Sequence, residues 1–476
     1  MVEWFVPPGE TRPEAVYTLR LLLGIAGIPN RETSERSSAV LLYDPDGQPP
    51  GASGALRIAP GPPGRWQEPR LGDFVEPEGS SHEAWSSGTG GTDLLQRAFT
   101  LVTGQLEGEP RDVVGVPSLR EGALAKARLG HTPLVIRLAE ALASALERHH
   151  DRAIERVPRW PGGARSIIVL SHDVDVPYTR PKRGQTLAWI YRALLSRRMD
   201  AISIATLSTL KTAVLWGLGR IPPKATDPNL RFEEWVEVAR RFGTTGTFYV
   251  PVTSVVDPWS APEDVKFDFR DRPVADGIRA ILNAGAELGL HASINARTSE
   301  WLFASEKDRL EHEFGVKVDS IRHHYWAVDP LFPERTLRAH ERAGFKVDSS
   351  LGINDAPGFR RGTCLPFLPF DRETRRPLEI WEVPPTLMDG GIFYRPVTRE
   401  QGASEIREHL AQVHAAGGAA VLNWHPEQLN ASRLRGAGPA LLDVLADLIG
   451  DSSVGWMNIG EVVKWWKDRE TRVTLP

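Results

Sequence analysis

The pattern that most restricts the fold is a repeated one: short apolar runs that each end in titratable side chains. Ile167-Ile-Val-Leu170 leads into Ser171-His-Asp-Val-Asp175, and Leu288-Gly-Leu290 into His291. Ser320-Ile321 leads into Arg322-His-His-Tyr325, and Val421-Leu422 into Asn423-Trp-His425. A run with no polar member reads as a strand covered on both faces, which is the habit of parallel sheets flanked by helices. Further strand-like runs at 247–250, 345–347 and 378–381 alternate with helical patterns at 274–284, 302–314, 334–343 and 403–415. Gly315, Gly344 and Gly417 stand where those helices should end. About seven strands alternating with helices predict a parallel α/β barrel or near-barrel. In such a barrel the C-terminal ends of the strands converge on one face, so the four titratable clusters are expected to meet there.

The chain before this region reads differently. Residues 16–26, 94–102 and 134–146 have helical periodicity, 39–43 and 54–58 read as short strands, and no reactive constellation is evident. Arg156-Val-Pro-Arg-Trp-Pro-Gly-Gly163 reads as a linker. We therefore expect an N-terminal α/β domain of unassigned role over 1–155, a linker at 156–165 and a barrel over 166–476. An outsized helical insertion is expected at about 181–240. The apolar positions of 201–219 repeat at helical spacing, but Lys211 and several Ser, Thr and Gly residues make this segment too polar to span a membrane.

Composition narrows the setting. With 57 basic and 61 acidic residues, a formal net charge of −4, the chain lacks the basic excess that nucleic-acid binding needs. A single cysteine, Cys364, permits no intrachain disulfide. The first residues show neither a basic segment nor an apolar core of a secretion signal, so a cytoplasmic location is the expectation.

The clusters allow a specific chemistry. Asp173 and Asp175 are two apart, so an extended segment projects both carboxylates to one side, where a divalent cation relieves their repulsion. His291 adds an imidazole, and a carboxylate with imidazole suits zinc or another first-row metal. The carboxylate that does not ligate could act as general base, Arg322 could hold it ionised, and His425 could act as general acid. These are the parts of a metal-assisted hydrolysis of a C–N bond.

Residues from about 166 to 428 resemble the polysaccharide deacetylase family, the NodB-homology or carbohydrate esterase family 4 group. Ser171-His-Asp-Val-Asp175 is similar to its first motif in a D-x-D form, Leu290-His-Ala-Ser-Ile-Asn295 to H-[ST]-x-x-H, and Arg322-His-His-Tyr325 to R-x-P-[FY]. Leu422-Asn-Trp-His425 resembles the last motif. The resemblance implies a distorted (β/α) barrel that removes acetyl groups from carbohydrates with zinc or a similar metal. It implies Asp173 as base, Asp175 and His291 as ligands, Arg322 as the residue positioning the base and His425 as acid. Asn295 stands where the second zinc histidine is expected, and we expect His324 to supply the missing imidazole. Tyr325, Trp424 and Arg360 are candidate substrate contacts, and Asp348 is a candidate to orient His425. His323 could compete with His324, while His340 reads as a surface or packing residue. Two other readings are open: an amidohydrolase acting on small cyclic or linear amides, and a metal-free carbohydrate-binding pseudoenzyme.

Overall fold

The computed structural model describes residues 1–43, 55–58, 94–108, 112, 114–126, 129–178, 227–252, 261, 264–265, 267–431 and 433–475. The expected insertion is therefore outside the described residues up to 226, as is the amphipathic segment 201–219. The stretch from 232 to 240 is helical (Phe232–Arg240), with Phe232, Trp235, Val236 and Ala239 buried.

Four short strands open the chain: β1 (Val2–Phe5), β2 (Asn30–Glu32), β3 (Leu41–Tyr43) and β4 (Leu56–Ile58), pairing in parallel in the order β2-β1-β3-β4. Helices Arg12–Ala26, Leu94–Val102 and Leu134–His149 pack together beside them. Proline inside the first turn starts Arg12–Ala26, and Gly27, at φ 73°, ends it.

The large sheet follows, with strands β5 (Ser166–Asp173), β6 (Thr247–Val250), β7 (Glu287–Ala292), β8 (Ser320–His323) and β9 (Val347–Asp348). A small antiparallel pair, β10 (Phe370–Asp371) and β11 (Arg376–Pro377), precedes β12 (Trp381–Glu382), β13 (Leu387–Met388), β14 (Ala419–Asn423) and β15 (Val454–Trp456). The order is β12-β9-β8-β7-β6-β5-β14-β13, every pairing parallel, with β15 added in parallel beside the first residues of β5. The sheet curls into a half-barrel whose edges, β12 and β13, do not meet. This is the expected barrel in its open form.

Connecting helices have the terminators that their sequences promise. Ser299 caps Glu300–Phe314 by accepting from the Leu302 N–H, and Gly315 closes it at φ 66°. Thr398 and Gln401 form a reciprocal capping box on Arg399–Ala416, which Gly417 ends at φ 66°. One continuous buried apolar cluster runs from Leu19 and Leu142 through Trp160 to Val169 and Val421, so the N-terminal sheet and the half-barrel share a core.

Registry then decides which side chains meet. His291 on β7 lies beside Arg322 on β8, and Asn423 on β14 beside Ser171 on β5. Because side chains alternate along a strand, Ser171 and Asp173, Arg322 and His324, and Asn423 and His425 face one side. Their neighbours His172, His323 and Trp424 face the other.

Candidate metal and active site

At the C-terminal ends of β5, β7 and β8, single ligand atoms of Asp175, His291 and His324 all lie within 4.8 Å of one another. Asp175 is their centre: Oδ1 is 3.2 Å from His291 Nε2, and Oδ2 is 3.4 Å from His324 Nε2 and 3.3 Å from His425 Nε2. His291 Nδ1 is 3.1 Å from the Arg322 carbonyl, which can only accept, so that nitrogen carries the hydrogen. With the ring otherwise unprotonated, the Nε2 lone pair would point at a carboxylate oxygen. Both atoms, His291 Nε2 and Asp175 Oδ1, are buried without a hydrogen-bond partner. Two lone pairs 3.2 Å apart need a positive charge between or beside them, which a proton on Nε2 or a metal ion supplies.

A metal ion fits that demand. Ligand atoms about 2 Å from a shared tetrahedral zinc stand about 3.3 Å apart; the His291 and His324 nitrogens lie 3.2 and 3.4 Å from the two different oxygens of Asp175, and the three residues offer ligand atoms within 4.8 Å of one another. The supporting shell also matches: His324 Nδ1 faces Asp264 Oδ1 at 3.4 Å, and Asp264 is itself fixed by the N–H groups of Ile294 and Ala261 at 3.0 and 2.7 Å. Burial would raise the Asp175 carboxyl, but the His324 and His291 imidazoles outweigh it and hold it well below the ordinary carboxylate range. Burial pulls the His324 imidazole down and Asp175 pulls it up, leaving it at about 9. The position is built for positive charge.

Asp173 stands beside this cluster and is held from both ends. Arg322 Nη1 donates to its Oδ1 at 3.0 Å, and Asn423 Nδ2 donates to its Oδ2 at 2.7 Å. Arg322 is fully buried; its remaining donors reach the Ser349 carbonyl at 3.0 Å and the hydroxyls of Ser171 and Ser349 at 2.9 Å, and its guanidinium lies 4.2 Å from the Tyr249 ring centre. Burial raises the Asp173 carboxyl and the Arg322 charge more than offsets it, so the group stays below its ordinary value and ionised at neutral pH.

His425 is oriented by Asp389, which the sequence reading missed. Asp389 accepts the His425 backbone N–H at 2.8 Å, and both its oxygens lie 3.0 Å from Nδ1. Burial would lower this imidazole, but the Asp389 and Asp175 carboxylates outweigh it and hold it well above its ordinary value. The expectation that Asp348 orients His425 is corrected: Asp348 is fully buried on β9 and lies 2.8 Å from His340 Nδ1. His340 in turn is a buried network residue, 3.0 Å from His323, which removes His323 from competition for the metal cluster. The signal for Asp389 was weak because it follows a strand of only two residues, Leu387–Met388.

The substrate-contact candidates separate. Tyr325 is 46% exposed beside His324, with ring centres 4.4 Å apart. Trp424 is fully buried on the opposite face, edge-on to Phe393, because strand alternation turns it away from Asn423 and His425. Arg360 is buried too: its Nε and Nη2 each donate to Glu107 at 3.0 Å. Neither Trp424 nor Arg360 is open to a substrate. Asn295 is exposed in a 3-10 turn, Ile294–Thr298, four residues beyond His291.

No family model matches the sequence, and no curated protein matches it. Solved structures with partial likeness include a Mycobacterium smegmatis protein assigned as a polysaccharide deacetylase, 19% identical, with 67% of this chain and 96% of that one covered and a TM-score of 0.44. Two others are the chitin deacetylase of Colletotrichum lindemuthianum (14% identical, 62% and 86% covered, TM-score 0.29) and a variant of the peptidoglycan deacetylase PdaC of Bacillus subtilis (11% identical, 64% and 94% covered, TM-score 0.29). At these identities and scores the likenesses bear on no individual residue, and the roles above rest on the geometry of this chain.

Proposed function

We propose that this protein hydrolyses an N-acetyl or related acyl group on a carbohydrate, with a divalent metal held by Asp175, His291 and His324. The observation that carries the reading is the meeting of three elements on one rim: a carboxylate and two imidazoles within 4.8 Å, an ionised Asp173 locked by Arg322, and a protonated His425 locked by Asp389. The nitrogen-rich donor set favours zinc. Such an ion, when bound, polarises an acyl carbonyl and makes an adjacent water more acidic.

The chain's own residues then divide the proton work. Asp173, ionised and fixed through both oxygens, takes the proton of the attacking water. His425, charged at neutral pH, returns a proton to the departing amine, and Asp389 stabilises that charge and fixes the ring. The opposed displacement of these two groups from their ordinary values, beside the fixed geometry of each, supports Asp173 as base and His425 as acid. Tyr325, half-exposed beside His324, is the candidate to meet the sugar.

Elemental analysis of the purified protein tests the metal. About one equivalent of zinc or a related ion, lost in Asp175→Ala and in His324→Ala, is the expected result. Full retention in His324→Ala, or no metal after reconstitution, sinks the reading. Screening acetylated sugars against ureides and imides then tests the substrate class.

A further inference from the structure

The rim opposite the metal cluster holds a second site. A cleft of about 980 Å3 opens beside Arg165, just before β5, and Gly417, just before β14, so it lies at the N-terminal ends of these strands. Helix Leu134–His149 forms one wall and the end of helix Arg399–Ala416 another. The volume is in the range of small-molecule sites.

Its charge is one-sided. Arg137, Arg148, Arg156, Arg159 and Arg165 line it, against a single carboxylate, Glu140. Glu140 is shared by Arg156 and Arg159, and Glu147 also holds Arg156 at 3.2 Å. Two of the arginines have structural duties: Arg165 donates to the His414 and Ala415 carbonyls at 2.9 Å, and Arg159 to the Ala416 carbonyl at 2.8 Å. They cover the negative end of that helix, which would otherwise repel an anion. Arg137 and Arg148 are exposed and have no side-chain partner among the described residues. Apolar side chains, among them Ala141, Ala415 and the almost fully buried Ile136, also line the cleft.

We propose that this cleft binds a small molecule carrying a phosphate or diphosphate group joined to a flat apolar ring system. Guanidinium groups take phosphate oxygens in pairs and stack on flat rings, and the apolar side chains would take the ring itself. The proposal is independent of the hydrolytic reading.

Calorimetric titration of the full chain with ADP and with inorganic pyrophosphate, at physiological salt, tests it. ADP is expected to saturate one site and to bind more tightly than pyrophosphate. Arg137→Glu and Arg148→Glu are each expected to weaken ADP binding by about tenfold or more. Arg241→Glu, an exposed arginine outside the cleft, is expected to leave it unchanged. Asp175→Ala, which disables the metal cluster, should also leave ADP binding intact. Four results overturn the proposal: no saturable ADP heat at about 1 mM, pyrophosphate binding as tightly as ADP, indifference to both cleft variants, or loss of binding in Asp175→Ala.

Discussion

Glu107→Gln addresses the joint between the N-terminal region and the half-barrel. In the native fold one carboxylate serves two adjacent guanidinium groups: both oxygens accept from Arg360 at 3.0 Å, and Oε1 is 3.2 Å from Arg361 Nε. Side-chain exposure is 0% for Arg360, 1% for Glu107 and 2% for Arg361, so water cannot replace the lost partner. Burial already depresses the Arg361 guanidinium to about 10 even with Glu107 opposing it. Removing one member of a buried pair costs about 3–5 kcal/mol, because the surviving charge is left uncompensated. Here two like charges are left facing each other, which puts the expected loss at the upper end.

Urea unfolding with and without the substitution measures this loss, with the slope checked for constancy. Arg360→Met in the Glu107→Gln background should recover about 2 kcal/mol or more, because it removes a charge as well as a partner. A loss under about 1 kcal/mol for Glu107→Gln, or strict additivity of the two substitutions, would refute the argument.

The other expectations concern the site and the cysteine. Asp173→Asn should cut turnover by about 10²–10⁴-fold while leaving metal content unchanged; undiminished turnover removes Asp173 as base. In Asp389→Asn the His425 imidazole loses the main charge that holds it above its ordinary value, so the alkaline limb of the pH–rate profile should move to lower pH. The sign for stability is the same: a raised histidine stabilises the fold below its unfolded value, and that contribution disappears as pH rises through the folded value. An unmoved limb would separate Asp389 from the acid. Cys364 is fully buried, and burial pushes its thiol up to about 12. It should therefore resist Ellman's reagent in the native protein and react only on unfolding; fast native labelling would contradict that placement.

What could be read from the sequence was set by distance along the chain. The strands were legible because short, mostly apolar runs have few alternatives, and β5, β6, β7 and β14 stand where those runs lie. Asp173, Arg322 and His425 stood out because each lies within three residues of the end of a strand-like run. Glu107 and Asp389 did not. Glu107 meets Arg360 from 253 positions away, and a glutamate in a loop carries no local mark of its partner. The pair Arg360-Arg361, flanked by glycines, looks from sequence like a solvated basic loop, and only the packing of residues 104–107 against it makes it an interior. Trp424 failed for a different reason: the alternation that exposes Asn423 and His425 to the site requires their intervening neighbour to turn away.

The same alternation explains how the cluster can do without a histidine at 295. A ligand four residues beyond His291 depends on the path of the chain after β7, and that path leads Asn295 outward into an exposed 3-10 turn. A ligand on the adjacent strand depends only on registry. Arg322 is paired with His291, so the next residue on the same face, His324, just beyond the end of β8, falls beside it; the two ring centres are 5.2 Å apart. The chain must then leave at once, and it does so through Tyr325 and Trp326, both left-handed at φ 55° and 52°. Two consecutive non-glycine residues in that region are strained, and the surroundings hold them there. Asn354 donates to the Tyr325 carbonyl at 3.2 Å, the Ala327 N–H to the His324 carbonyl at 3.2 Å, and Gly352 lies so close to the Trp326 indole that a Cβ would stand 2.5 Å from it. Strain at the residues that follow His324, sustained by contacts from a separate segment, is in keeping with the proposal that His324 is a ligand position.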